Sequence, residues 1–443
     1  INGVLLANRG MASGDVPWDG VANGGARENN GYETLEIPLP RGLLREGPNT
    51  IAVQVANVSI GGSSDCFFDA RLSGIQEPSN RGPSPGRANV VLATNAPPAI
   101  RQVAHVPEQP RPGEAVVVTA RVSDPDGVDS VLLEYQLVDP GGYLHAADAG
   151  YAEGWVQVPM TASVGDPLEY GVILPKELNQ HRRLVRYRIR AVDRIGAAVR
   201  VPYPDDPCPN FAWFCYGEVP AWSGAVRPGA VAPLGTPFTV GSAEMNRLPV
   251  YHLIARRADV EASTWRDRSH GDEYFWTGTL VYDGRVYDHI RFRPRGGVWR
   301  YAMGKNMWKF DFNRGHDFEA RDAWGRRIAT SWTKLNLGAC IQQGDYLHRG
   351  EQGMFESVGF RLFQLAGVPA SHTAFVQFRV IDDPLESDPL DQFGGDFWGL
   401  YLAVEQLDGR FLEEHVERWP RPVPVEPAAR PVDGPPEQIE SGG

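Results

Sequence analysis

The chain has 443 residues, enough for two to four domains, and its 42% hydrophobic content comes with 49 glycines and 37 prolines, a balance that fits short strands joined by many turns. With 55 acidic against 43 basic residues the formal charge is -12, which lacks the basic field of a general nucleic-acid binder. No run of eighteen apolar residues occurs, so no membrane-spanning segment is expected.

The first residue, Ile1, stands directly in strand-like sequence, and the start is expected to have been cut from something longer. Residues 1–76 carry strand signals at Tyr32–Leu39, Thr50–Ala56 and Cys66–Leu72, with the turn Gly47-Pro48-Asn49 before the middle one. Three strands do not close a sandwich, so this segment reads as the C-terminal part of a jelly-roll domain whose first strands lie upstream. Residues 77–96, rich in Pro, Ser and Gly, read as a linker.

Residues 97–202 form the clearest self-contained unit. Strand-like runs cover Ala115–Arg121, Ser130–Val138, Trp155–Met160, Tyr170–Leu174, Leu184–Val192 and Ala197–Val201. Short strands at about ten-residue spacing predict a β-sandwich of immunoglobulin or fibronectin type. Arg186, Arg188 and Arg190 alternate with Val185, Tyr187 and Ile189, which predicts one wet and one buried face. Asp124, Asp126 and Asp129 suggest calcium, but an Asp-Pro-Asp-Gly turn explains them more simply, because a lone turn lacks a full ligand set.

Residues 203–247 are a Pro-rich connector with the aromatic run Phe211-Ala212-Trp213-Phe214-Cys215-Tyr216, whose rings are expected to pack on a flanking domain. Of the four cysteines, Cys66 and Cys340 read as single buried thiols. Cys208 and Cys215 are close enough to bridge if their loop turns back, and a bridge would favour an oxidising compartment. No His/Cys quartet surrounds them, so no metal site is expected there.

From residue 248 to 415 the pattern changes. Val250–Ile254 reads as a strand and Val260–Asp267 as a short polar helix; Tyr274–Val281 and Arg285–Arg293 read as a hairpin around Tyr282-Asp283-Gly284. A strand over Asn306–Phe312 follows, then a helix over Gly350–Ala366, in which Phe355, Val358, Gly359, Leu362, Phe363 and Ala366 recur at three and four. Gly367 stands where a C′ glycine belongs, with Pro369 beyond it. Two further strands, Ala374–Ile381 and Phe397–Glu405, flank an acidic loop with Asp382, Asp383, Glu386, Asp388, Asp391 and Asp396. The irregular spacing of these charges reads as a solvated insertion rather than a metal site. Residues 416–443 are Pro-rich and read as a disordered tail.

The chemistry-bearing stretch is Ile290-Arg291-Phe292-Arg293-Pro294-Arg295-Gly296-Gly297, followed by Lys305 and Lys309. Glycines let a backbone approach an anion, and a lysine on the next strand reaches its phosphates. Lys305 and Lys309, four apart, are expected on one strand face. By themselves these residues also fit a hairpin with a solvated basic edge, which is the plainer reading.

Residues 249–415 resemble the CotH kinase family, atypical kinases similar to spore coat protein H. The resemblance rests on Arg295-Gly296-Gly297 followed by Lys305-Asn306-Met307-Trp308-Lys309-Phe310, on Asp345, Arg349 and Leu365-Ala366-Gly367-Val368-Pro369, and most specifically on Phe397-Trp398-Gly399-Leu400-Tyr401-Leu402-Ala403-Val404-Glu405-Gln406-Leu407-Asp408-Gly409-Arg410-Phe411-Leu412. It implies a multidomain, β-rich chain ending in an incomplete α+β kinase-like N-lobe. It also implies ATP and magnesium as cofactors and a protein substrate. Lys305 would contact phosphate, with Lys309 the second choice, and Arg295, Gly296 and Gly297 would cover it. Glu356 would pair with the lysine unless it lies on a solvated helix face, and Val404, Glu405 and Gln406 would lie near the adenine-contacting hinge.

The family's magnesium-holding segments have no counterpart after His415, so the expected function is that of a truncated copy, inactive alone, with an exposed apolar face. The upstream modules imply an extracytoplasmic or secreted protein with cell-surface or extracellular-matrix partners. Two other readings stay open: an exported structural or adhesion scaffold, and a carbohydrate-binding protein.

Overall fold

The computed structural model describes residues 2, 4–6, 43, 50, 95–264, 274–296, 305–341, 351–388 and 390–416. The expected jelly-roll strands, most of the 77–96 linker, Cys66, Gly297 and the 417–443 tail lie outside them. The chain divides into two compact units, residues 1–92 and 93–443. In the first, Asn2 N–H donates to Thr50 O at 2.9 Å and Thr50 N–H donates to Asn2 Oδ1 at 2.9 Å.

The second unit is β-rich, with several sheets and one closed barrel. Its first half contains β1 (Ala99–Val106), β2 (Val116–Ser123), β3 (Val128–Val138), the short α1 (Ala149–Glu153), β4 (Val156–Pro159), β5 (Thr161–Ala162), β6 (Glu169–Leu174), β7 (Arg183–Asp193), β8 (Ala198–Val201) and β9 (Phe211–Cys215). One sheet runs β1-β2-β6-β5, and the other runs β4-β3-β7-β8 with β9 also paired to β7. Val116, Val118, Ala120 and Val122 of the first meet Val131, Leu133, Val185, Tyr187, Ile189 and Trp213 of the second in one core, which is the period-2 pattern of a sandwich. The Asp-Pro-Asp-Gly segment is a turn: Asp124 Oδ1 accepts Asp126 N–H at 2.7 Å and Gly127 takes φ +88°.

β9 corrects the sequence reading. Phe211–Cys215 is a strand rather than part of a connector, pairing Arg183↔Cys215 through Tyr187↔Phe211. Its apolar run is continuous because both faces are covered: Trp213 enters the sandwich core, while Phe214 enters a second core with Leu184, Ile254, Val281 and Ile381. The bridge left open by the sequence is absent: Cys208 and Cys215 are free, buried thiols, and Cys208 Sγ donates to Asn210 O at 3.3 Å. Burial pushes both thiols up to about 12.

The connector continues through β10 (Trp222–Gly224), β11 (Phe238–Val240) and α2 (Ser242–Met245), with β10 and β11 paired. The remaining elements are β12 (Val250–Ile254), α3 (Arg257–Thr264), β13 (Trp276–Tyr282), β14 (Arg285–Arg295), β15 (Met307–Asp311), β16 (Lys334–Gly338), α4 (Glu351–Leu365), β17 (Thr373–Ile381), β18 (Phe397–Glu405) and α5 (Gly409–Val416). The strands close a barrel in the order β12-β13-β14-β15-β16-β18-β17, sealed by parallel pairing of β12 with β17. The expected hairpin is present, and Asp283 and Gly284 take φ +53° and +78°, the turn that an Asp-Gly pair favours. Tyr251, Tyr282, Phe292, Trp308, Phe310, Phe318, Phe378 and Tyr401 are among the side chains that fill the interior.

The sandwich and barrel share a buried seam, contrary to the expected wet arginine face on β7. Arg186 has no exposed surface. It forks onto Asp288 of β14, with Nε to Oδ2 at 2.7 Å and Nη2 to Oδ1 at 3.0 Å, and donates Nη1 to Leu144 O at 2.9 Å. Asp288 also accepts from Thr279 Oγ1 at 2.5 Å, Asn210 Nδ2 at 2.9 Å and the His289 N–H at 2.8 Å. Burial opposes ionisation, yet the Arg186 guanidinium, His289 and the donated hydrogen bonds outweigh it and hold Asp288 below the usual carboxylate range. Only Arg190 of the three arginines is exposed; Arg188 pairs with Glu134 at 2.5 Å.

The acidic loop is only in part a solvated insertion: Asp391 is exposed, but Asp396 and Glu386 are paired. Asp396 is 1% exposed and accepts Arg182 Nε at 2.8 Å and Nη2 at 2.6 Å, while Glu386 meets His181 at 2.9 Å. These acids clasp the barrel to the sandwich. A solvent-facing reading failed because their basic partners lie some two hundred residues away in the sequence.

Arg186→Ala strands a buried carboxylate and should cost about 3–5 kcal/mol; urea denaturation that places the loss below 1 kcal/mol (roughly a surface effect) would show the pair to be dispensable. His252, packed 4.4 Å from Tyr216 and 5.1 Å from Phe214, is held well below its ordinary 6.5 by burial and by the charges of Arg379, His181 and Arg182. The unfolded chain therefore binds a proton that the folded chain refuses. The stability of neutral His252 is complete above that ordinary value and is lost as pH falls below it, at about 1.4 kcal/mol per pH unit. Stability measured against pH should thus decline less steeply for His252→Phe than for the wild type on the acid side of neutrality, whereas parallel profiles would contradict the assignment.

Candidate functional site

Three of the residues singled out in the sequence meet at one corner of the barrel. β14 ends at Arg295, and Gly296 turns the chain with φ +96°. An added Cβ there would lie 2.8 Å from Met307 Cε as well as adopting an unfavourable backbone conformation, so glycine is required. β15 begins only at Met307. Lys305 therefore precedes the strand, and the expectation that it shares a strand face with Lys309 does not hold.

The Lys305 ammonium reaches across the barrel wall. It donates to Ala339 O at 2.9 Å, and to Leu400 O, and stands 3.9 Å from the centre of the Tyr401 ring. Two carbonyls and an aromatic face thus fix where this cation sits. A Cβ at Gly399 would lie 3.3 Å from Nζ, so the residue before Leu400 leaves room for the lysine.

Helix α4 supplies the carboxylate. It approaches β16 closely because Gly353 faces Cys340: a Cβ at Gly353 would lie 2.6 Å from Cys340 Sγ. One turn on, Glu356 lies over Gly338, with Oε2 3.5 Å from where a Cβ would be. Glu356 is half-buried; burial raises its pKa, and the Arg295 charge opposes the rise. Burial pushes the Cys340 thiol up to about 11, with Lys305 acting against that rise and Glu356 adding to it. Lys305 and Glu356 therefore act on one small region around Cys340, just past the end of β16, and Arg295 acts on Glu356. α4 closes as expected, with Gly367 at φ +77° and Val368 N–H donating to Phe363 O at 2.8 Å.

The apolar repeat of α4 does not face the sheet. Phe355, Val358, Leu362 and Phe363 are exposed, as are Met354 and Leu365. The helix instead sits on its small residues and on Phe360, which packs with Phe375 against Cys340, Leu402 and Val404. Periodicity identified the helix but not the side that docks, because close approach selects glycine rather than bulk.

The other candidates are placed elsewhere. Lys309 lies opposite Arg293 and Asn336 in the middle of the wall. Val404 is buried in the small core beneath α4. Gln406 Oε1 accepts Asn336 Nδ2 at 2.9 Å. Glu405 is 3% exposed, and its Oε2 accepts His372 N–H at 3.1 Å and meets His415 Nε2 at 3.2 Å. Burial pushes the Glu405 carboxyl up to about 7, against the His372 hydrogen bond and with Glu414 and Asp408 adding to the rise. The sequence reading passed over His372 and His415, which are 43 residues apart and join only through the end of β18; no spacing motif marks them.

The chain matches no protein-family model and no curated protein. What it can do is therefore read from its residues.

Gly353→Ala should push α4 off β16 and destabilise the fold by about 1–3 kcal/mol. Combining it with Cys340→Ala should recover part of that loss; purely additive costs in thermal denaturation would refute the close approach.

Proposed function

We propose that residues 248–415 are the nucleotide-clamping half of a CotH-type atypical kinase, preceded by an immunoglobulin- or fibronectin-like sandwich in an exported protein. The observation that carries this reading is the convergence of Lys305 and Glu356, distant in sequence, around Cys340, with the Arg295 charge acting on Glu356. A fixed ammonium and a neighbouring guanidinium suit the phosphates of a nucleotide, and a helix-borne carboxylate beside them suits alignment of the lysine.

The phosphate-binding part and the metal-binding part of such chemistry are separable. Magnesium in phosphoryl transfer is held by carboxylates together with the substrate phosphates. Among the described residues, no group of three carboxylates, imidazoles or thiols surrounds Lys305; the one group of that kind lies at Glu405. The reading for these residues is accordingly nucleotide binding, and no transfer step is assigned to them. Among the described residues, no helix is long and apolar enough to cross a membrane.

The competing reading is an exported scaffold in which the barrel binds nothing. It draws on the Arg186–Asp288 seam, which makes sandwich and barrel a single rigid support. Titration with a non-hydrolysable ATP analogue and magnesium separates the two. Nucleotide binding should weaken at least about 10-fold in Lys305→Met, the order expected when a charge-assisted contact is lost. Lys309→Met should change it little. No saturable binding, or binding that survives substitution of both lysines, would leave the scaffold reading in place.

A further inference from the structure

At the far end of β18 from Lys305, three side chains form a cluster of which only Glu405 entered the nucleotide reading. His372 precedes β17, Glu405 ends β18, and His415 lies in the last turn of α5. Their donor atoms all lie within 4.8 Å of one another. The Glu405–His415 separation is 3.2 Å, close to the roughly 3.4 Å between ligands that tetrahedral coordination at metal–ligand distances near 2.1 Å requires. The imidazole rings of His372 and His415 are 5.3 Å apart between centroids, and His415 packs on Phe411 at 4.2 Å.

Local structure brings these groups together firmly. Asp408 caps α5, its Oδ1 accepting Arg410 N–H at 3.0 Å and Phe411 N–H at 3.3 Å. Two backbone links hold His372 to the end of β18: its N–H donates to Glu405 Oε2, and Glu405 N–H donates to His372 O at 3.0 Å. Helix, strand end and strand start are thus fixed before any ligand arrives.

Glu405 is buried against the His415 ring, 3.2 Å away, and the acids Glu414 and Asp408 add negative charge near it. Glu414 Oε2, next to His415 in the chain, is itself buried without a hydrogen-bond partner among the described residues. Buried carboxylates ordinarily sit beside a guanidinium, an ammonium or a metal ion. Two imidazoles with a carboxylate form the donor set of a borderline-soft divalent cation rather than of calcium or magnesium.

We propose that His372, Glu405 and His415 form a binding site for a divalent transition-metal ion of the zinc class, tying α5 to the β17–β18 hairpin, with a bound water as the fourth group. The three protein ligands leave a coordination position for that fourth group. The site is independent of nucleotide binding at Lys305, so either assignment stands if the other fails.

The full chain, stripped with a chelator and titrated with Zn2+ alone, should take up one equivalent and melt at a higher temperature. Co2+ in its place should give the intense visible bands of a four-coordinate site. Glu405→Gln keeps an acceptor for the His372 N–H but should weaken zinc binding at least about 10-fold, and the paired variant His372→Ala/His415→Ala should weaken it at least about 100-fold. His316→Ala, a histidine that pairs instead with Asp206, should leave it unchanged. Should the paired variant fail to fold, ring proton resonances of the wild-type chain decide: one equivalent of Zn2+ should shift those of His372 and His415. No stoichiometric uptake, binding that survives Glu405→Gln and the paired variant, or shifts confined to other histidines would each overturn the proposal.

Discussion

The second unit depends on one buried ion pair. Arg186 on the sandwich and Asp288 on the barrel are both removed from water, a state whose desolvation cost only close geometry and full hydrogen bonding can offset. Asn210 comes from the loop between β8 and β9, Thr279 from β13, and Leu144 from the loop after β3. Each would leave a partner uncompensated if it moved alone. This interdependence makes the seam a specific joint instead of a greasy contact, beside which part of the Pro-rich connector becomes the strand β9. The seam also reaches the candidate site through β14, which carries Asp288 near one end and Arg295 at the other.

What was legible in the sequence was local. The Asp283-Gly284 turn, the spans of β2, β7 and β18 and the Gly367 stop of α4 all follow from backbone preference or period, and all are found within a residue or two. What was not legible depended on partners distant in the chain. Alternating arginines on β7 look solvated until a second domain covers them. Likewise the acids after β17 look solvated until Arg182 and His181 are placed opposite them. β16 was missed although Trp332, Leu335 and Leu337 all reach the barrel core; its five residues sit among turns and isolated bridges that offer no strand boundary.

The candidate site shows the same division. Arg295, Gly296, Lys305 and Glu356 were singled out by residue type and resemblance; Lys305 and Glu356 act on one region, and Arg295 acts on Glu356. Their mutual placement rests on residues that carry no chemical signal: Gly353 against Cys340, Gly338 beneath Glu356 and Gly399 beside Lys305. Absence of a side chain is what admits the helix and the ammonium. The imidazoles at the other end of β18 had no such marker, since ordinary strand pairing and a helix cap bring them together.

Closure of the barrel has a consequence for how anything else can attach to it. Every barrel strand has a neighbour on each side, so the wall has no unpaired row of amides and carbonyls at which an incoming peptide could add itself as an extra strand. Recognition by main-chain pairing is closed to this half of the molecule. Whatever associates with it must be read by side chains on its outer surface, where specificity is set residue by residue and a single substitution can change the partner without disturbing the wall.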